Sequence, residues 1–234
     1  MKKFLLILCI VLFGLSVNAE ILIYESNVTM DNIWLKLGKR EQKINEVGAR
    51  ILNRNQIPKR VSFYLYKSPI KSINAFASYR DKSVNIYPEL LNYVDNDDEL
   101  AAILSHEIAH NIDFYDGFGK LIVMKFNSKA YEYKADEKGI DYMVKAGYNP
   151  IAMITVMNKI GGESIFDWGT FTSHPKTSAR LMKDYEYIYK KYPNYLNSQM
   201  AKNVYYVNWY NTASKDINNF QQKEKRRAEK RGNL

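Results

Sequence analysis

The chain is nearly without cysteine. Of 234 residues only Cys9 is one, and it lies inside an apolar run at the N-terminus. That run is the sole long hydrophobic stretch: Met1-Lys2-Lys3 is a short positive start, residues 4–15 are apolar, and Val17-Asn18-Ala19 sets small or tolerated side chains before Glu20. This is the pattern of a secretory signal peptide over residues 1–19. About a dozen apolar residues fall short of the ~20 that a membrane span needs. A lipid-modified cysteine would stand at the cleavage point, and Cys9 does not. The exported chain from Glu20 onward therefore lacks disulfides, and its stability must come from its core, with or without a metal. Histidine is scarce too, with three in the whole chain, and no internal repeat is present.

With 46% hydrophobic and 25% charged residues the composition is that of a soluble globular protein. The length suits one domain with an appendage. The net charge of +9 falls to +7 once Lys2 and Lys3 leave with the leader. Much of that excess sits at the far C-terminus, which together with export argues against a nucleic-acid partner. Acidic partners, anionic lipid or cell-wall polymers suit it better.

Two of the three histidines fall in one stretch, residues 100–111, which reads LAAILSHEIAHN. The residues are good helix formers. Asp95, Asn96, Asp97 and Asp98 ahead of them supply N-cap candidates and negative charge for the helix's positive end. On a helix, positions i and i+4 lie about 40° apart around the axis. His106 and His110 thus share a face and can reach one metal ion, and Glu107 between them can hold a water at that metal and take its proton. Leu100, Leu104, Ile108 and Ile112 form a separate apolar stripe, so the helix is expected to be buried on one side and to present ligands on another.

A second helix is expected over residues 128–147. Glu132, Ala135, Asp136, Gly139, Ile140, Met143 and Ala146 fall on one of its faces, which is small and apolar apart from two carboxylates one turn apart. Small residues permit close approach of another helix, and buried acids there need a cation or donors. Zinc accounts for Glu132, and Asp136 is placed to accept from the other ring nitrogen of a ligand histidine. The last histidine, His174, precedes Pro175, which suits the first turn of a helix running to about residue 192 with Ala179, Leu181, Met182 and Tyr185 as packing positions.

Elsewhere the pattern gives an extended lead-in over residues 20–30, a helix over 31–53 and a strand over 61–66. Segments 73–79 and 84–87, joined by the polar turn Arg80-Asp81-Lys82-Ser83, read as a hairpin just ahead of the metal-binding helix, where an edge strand could pair with an extended peptide. Residues 121–126 read as a short helix or loop. A helix spans 151–160, a mainly helical stretch covers 195–220, and 221–234 is a charged tail that frays into solvent.

Taken in order, HEIAH at 106–110, EYKAD at 132–136, His174-Pro175 with Arg180, and Asn74-Ala75-Phe76 upstream resemble the M48 family of zinc metallopeptidases, a group that includes periplasmic assembly-factor proteases. The resemblance covers residues 73–180 and implies one Zn²⁺ per chain bound by His106, His110 and Glu132, with Glu107 as general base. It also implies Asp136 in support, His174 and Arg180 close to the metal as catalytic residues, and Asn74, Ala75 and Phe76 along the bound peptide. The implied fold is α+β and predominantly helical, a zincin-like domain with a small β-sheet at the cleft. The expected organisation is a signal peptide over 1–19, a metallopeptidase domain over 20–194 and a basic helical extension over 195–234. The expected function is a zinc endopeptidase, periplasmic or secreted, that cleaves extended or misfolded proteins, with cell-envelope proteins as partners. The competing expectation is a non-catalytic or latent zinc protein with a chaperone-like role in the cell envelope, and a separate one is that His174 occupies the open metal position and keeps the enzyme latent. A third is a protein that holds anionic lipid or polymer through its basic tail.

Overall fold

The computed structural model describes residues 38–116, 128–161 and 177–232. The expected signal peptide and lead-in, residues 121–126, His174 and Pro175 lie outside the described residues. The chain divides into two compact units, 1–42 and 43–234. Of the first, residues 38–42 are described, and they carry the opening of helix α1, Lys39–Arg54. The remainder concerns the second unit.

Three short strands form one sheet: β1 Ser62–Leu65, β2 Ala75–Ser78 and β3 Ser83–Ile86. β2 and β3 make the expected antiparallel hairpin, Ala77 opposite Val84. β1 does not extend that hairpin at β2. It pairs with β3 in parallel, Phe63 opposite Val84, so the order is β1-β3-β2 and β2 is an edge. Lys82 closes the hairpin with a left-handed φ of 52°. Its ammonium donates to the Phe114 carbonyl at 3.2 Å and lies 3.9 Å from the Tyr79 ring centroid, which ties the turn to the far end of the next helix.

That helix, α2, spans Asp97–Asp113. The Asn96 side chain caps it by accepting from the Glu99 amide at 3.0 Å, and Glu99 returns the favour by accepting from the Asp95 amide at 2.9 Å. Satisfying orphan amides at both ends of the first turn fixes where the helix starts. Its burial differs from the expectation of one buried side. Residues 99–109 are buried without exception. Helices α3, Ser128–Ala146, and α4, Ile151–Gly161, together with β2 and β3, pack around α2, so it has no solvent face along that length.

On α3 the face containing Glu132, Ala135, Asp136, Gly139, Ile140, Met143 and Ala146 is buried throughout, whereas Lys134, Glu137 and Lys145 are exposed. Gly139 lets the two helices touch: a Cβ there would stand 3.2 Å from the backbone nitrogen of His106. Gly147, at φ 81°, ends α3, and the Tyr148 amide reaches back to the Met143 carbonyl at 2.9 Å, a helix-terminating bond that a left-handed residue permits. Lys159 on α4 binds Asp95 and Glu99, each at 2.7 Å, so one nearly buried ammonium joins α4 to the start of α2.

Helix α5, Thr177–Lys191, packs on α3 and α4 through Leu181, Tyr185 and Ile188. Ala179, expected among its packing positions, is exposed, and Arg180 takes the buried place beside it. Two 3₁₀ turns, Pro193–Asn197 and Gln199–Lys202, lead to α6, Val204–Thr212, and α7, Ser214–Gly232. Tyr206, Trp209, Ile217 and Phe220 join the same hydrophobic core as α2. The tail does not fray at 221: α7 continues as regular helix to Gly232. No described helix is long and apolar enough to cross a membrane. The architecture is α+β, mostly helical, with the sheet confined to one side of the central helix.

Candidate metal centre

Helix α2 brings His106 and His110 onto one face, as i and i+4 spacing requires. Their Nε2 atoms are 3.1 Å apart, with the rings at 84° to one another. Helix α3 adds Glu132 from the opposite side. Its Oε2 is 3.4 Å from His106 Nε2, and its Oε1 is 3.2 Å from His110 Nε2. Among the described residues these three side chains form a group able to hold a metal ion, with donor atoms all within 4.8 Å of one another. A tetrahedral cage with bonds of about 2.0–2.1 Å has edges of about 3.3 Å. The observed separations match that edge. Two imidazoles and a carboxylate, with a fourth position open, are also a donor set that zinc takes. The residues therefore fit the metal.

The surroundings fix the ligands. His106 Nδ1 lies 2.8 Å from Asp136 Oδ1, and a carboxylate on that side favours the proton on Nδ1 and leaves Nε2 as the lone-pair side. Asp136 is fully buried, and the guanidinium of Arg180 grips it with Nε and Nη2 at 2.8 and 2.6 Å. The third nitrogen of Arg180, Nη1, lies 3.2 Å from Glu132 Oε2. One buried cation thus serves both the carboxylate that orients a histidine and the carboxylate facing the two Nε2 atoms. Burial opposes ionisation of Asp136, but the charges of Arg180 and His106 outweigh it and hold the group below the usual carboxylate range. Burial likewise works against a charged His106, yet Asp136 and Glu132 push it up to about 10 when no metal is present.

Glu107 is 2% exposed. Burial raises its pKa, against the opposing charges of His106 and His110 and a backbone hydrogen bond from Ala77 on the edge strand. Its Oε1 has no hydrogen-bond partner among the described residues. A buried carboxylate with a free oxygen is a stronger base than a surface one and is ready to accept a proton.

Of the other residues singled out in the sequence, Asn74 and Ala75 are buried and Phe76 is half-buried in and beside β2. The Asn74 carbonyl accepts from the Tyr87 amide at 2.9 Å, and the Phe76 ring meets Tyr66 and Tyr87. These three residues face β3 and its aromatic neighbours, and Ala77 is the strand residue that touches Glu107. One residue close to the site escaped sequence reasoning. Asp184, one turn beyond Arg180 on α5, is 1% exposed, and burial followed by the charge of Asp136 drives its pKa well above the carboxylate range. Its i+4 spacing from Arg180 was the available signal.

A pair of histidines on a buried helix, completed by a carboxylate from a second helix and accompanied by a buried glutamate, sets this chain among the metallopeptidases. Residues 38–113 and 115–184 match Peptidase family M48, which is more than half of the chain. The chain belongs to that family. It is also 25% identical over 183 residues to the beta-barrel assembly-enhancing protease of Yersinia pestis, a match covering 60% of this chain and 37% of the relative. The chain thus spans well under half of that relative's length.

Proposed function

We propose that this chain is an exported zinc endopeptidase that cleaves extended or misfolded protein segments in the cell envelope. The observation that carries the reading is the convergence of His106, His110 and Glu132 beside a buried Glu107 with one oxygen unpartnered among the described residues. His106, His110 and Glu132 would hold Zn²⁺, which supplies Lewis acidity toward a peptide carbonyl and acidifies water. Glu107 is the general base: its carboxylate accepts the proton of the attacking water and is then placed to hand it to the departing amine. Asp136 keeps His106 in one tautomer and one orientation. Arg180 holds Asp136 and Glu132 in register, and a residue held that firmly preserves the donor geometry through turnover. The outer edge of β2 is the side on which an extended peptide would add as a further strand, with the Ala77 segment next to Glu107. The resemblance to the family would add His174 as a residue acting close to the metal.

The test compares the exported chain with Glu107→Gln for cleavage of casein after zinc content has been measured in both. Cleavage by the unaltered chain, lost in Glu107→Gln at equal zinc content, is expected. Equal cleavage by both would remove Glu107 from the mechanism. Zinc-loaded chain with no cleavage would favour the latent or chaperone-like alternative, and activation by His174→Ala would then distinguish latency from a binding role.

A further inference from the structure

The C-terminal half of α7 has no part in the metal centre, and the match to the peptidase family ends at residue 184. Ile217 and Phe220 are buried, and Gln221 donates to the Tyr185 hydroxyl at 2.7 Å, which fastens the first half of the helix to the domain. Beyond that anchor every residue from 222 to 232 is exposed except half-buried Glu224. At 100° per residue, Lys223, Arg226, Lys230, Arg227 and Arg231 fall on one continuous arc of roughly 140° along about 12 Å of helix. Glu224 and Glu229 lie to either side of it. Arg227 pairs with Glu224 at 2.7 Å, while Lys223, Arg226, Lys230 and Arg231 form no ion pair among the described residues. Lys190 on α5 and Lys225 line the adjoining groove with Arg227 and Arg231.

We infer that this stripe is a docking surface for a bilayer bearing anionic phospholipid. It contains five cations and no apolar or aromatic side chain. A protein partner would ordinarily find apolar anchors at the centre of such a surface, whereas a flat array of lipid phosphates needs only a straight row of cations at solvent-exposed positions. The rigid helix presents that row without an ordering cost at contact, because its residues are already helical. Attachment through this stripe is peripheral, because its exposed cations meet only the headgroups. The inference does not depend on the peptidase reading, and its test does not involve the metal.

The experiment is vesicle flotation with the exported chain, using phosphatidylcholine vesicles and vesicles of phosphatidylcholine and phosphatidylglycerol in equal parts. Each Lys or Arg at an anionic surface contributes about fivefold in partitioning, so three in contact give about a hundredfold preference for the anionic vesicles. That preference is expected to collapse in 1 M salt, where the screening length is about 3 Å. The variant K223Q/R226Q/R227Q/K230Q/R231Q is expected to lose it. A variant with the same charge change at exposed positions elsewhere, R54Q/K67Q/K71Q/K134Q/K145Q, is expected to keep most of it. Equal flotation of the two variants would overturn the assignment to α7 and leave only net charge. Flotation with neutral vesicles, or capture by immobilised inorganic polyphosphate with none by anionic vesicles, would overturn the lipid assignment. Melting curves of both variants report whether either has failed to fold.

Discussion

Replacing Gly139 by alanine puts one methyl group against the backbone that carries His106. The added Cβ would stand 3.0 Å from Met153 Cε, 3.2 Å from the His106 nitrogen and 3.4 Å from the His106 Cα. The methionine tip can swing aside, but the α2 backbone is buried on all sides and cannot, so α3 must retreat by a few tenths of an ångström. Overpacking of this kind costs about 1–3 kcal/mol, and the gain in helix propensity returns about 1 kcal/mol. The net loss of stability is thus modest, about 0–2 kcal/mol. The metal centre suffers more. Glu132 and Asp136 lie on the same face of α3 and move with it, opening the contacts at 3.2, 3.4 and 2.8 Å to the two histidines. Metal sites tolerate errors of about 0.2 Å in ligand distance, and disturbance of ligand support costs about 10–100-fold in affinity. The assay is zinc competition against a chromophoric chelator, with thermal unfolding of the metal-free protein alongside. Gly48→Ala is the control. Its Cβ would lie 2.5 to 2.7 Å from three atoms of the Phe63 ring, so stability falls by about 1–3 kcal/mol while zinc affinity is unchanged. Zinc affinity in Gly139→Ala within about threefold of the unaltered protein would refute the coupling, since a loss of at least tenfold is required.

Arg180→Met strips the buried Asp136 of its bidentate partner and should destabilise the metal-free protein by about 3–5 kcal/mol in urea unfolding. Arg180→Lys should recover only part of this, because an ammonium cannot form the two parallel bonds. Asn96→Ala removes the cap of α2 and should cost about 1 kcal/mol by the same measurement, with zinc affinity untouched. Burial pushes Tyr185 up to about 12. The unfolded phenol ionises near pH 10, so stability from this group is complete below about pH 10 and drains away as pH rises toward about 12, by roughly 2–3 kcal/mol in all. Urea midpoints measured across that range should fall for the unaltered chain and fall less for Tyr185→Phe.

Much of the centre was legible because helical spacing alone assembles it. His106 and His110 share a face by arithmetic, and the buried face of α3 announced itself as small residues interrupted by two acids. The hairpin was legible because a polar turn separates two short segments that carry apolar and aromatic residues. The position of β1 was not: four-residue strands carry too little alternation to choose a neighbour, and parallel pairing with β3 depends on α1 and α2 covering the sheet, which no local pattern encodes. The burial of α2 was underestimated for a related reason. An apolar stripe shows which side must be covered, but Ala101, Ala102, Ser105 and Ala109 are small enough to be covered as well. The helical tail was misjudged from charge alone. Like charges three and four apart on one arc repel, but Lys, Arg, Glu and Ala are strong helix formers, Arg227 pairs with Glu224, and the Ile217–Phe220 anchor supplies a folded start.

The all-round burial of α2 has a kinetic meaning. Amide protons of residues 104–109 exchange with solvent only when the helices and strands packed around α2 open. Exchange there should therefore follow global unfolding. His106 and Glu107 thus stand on a segment whose backbone should be among the last of the described residues to open, while His110 sits at its margin.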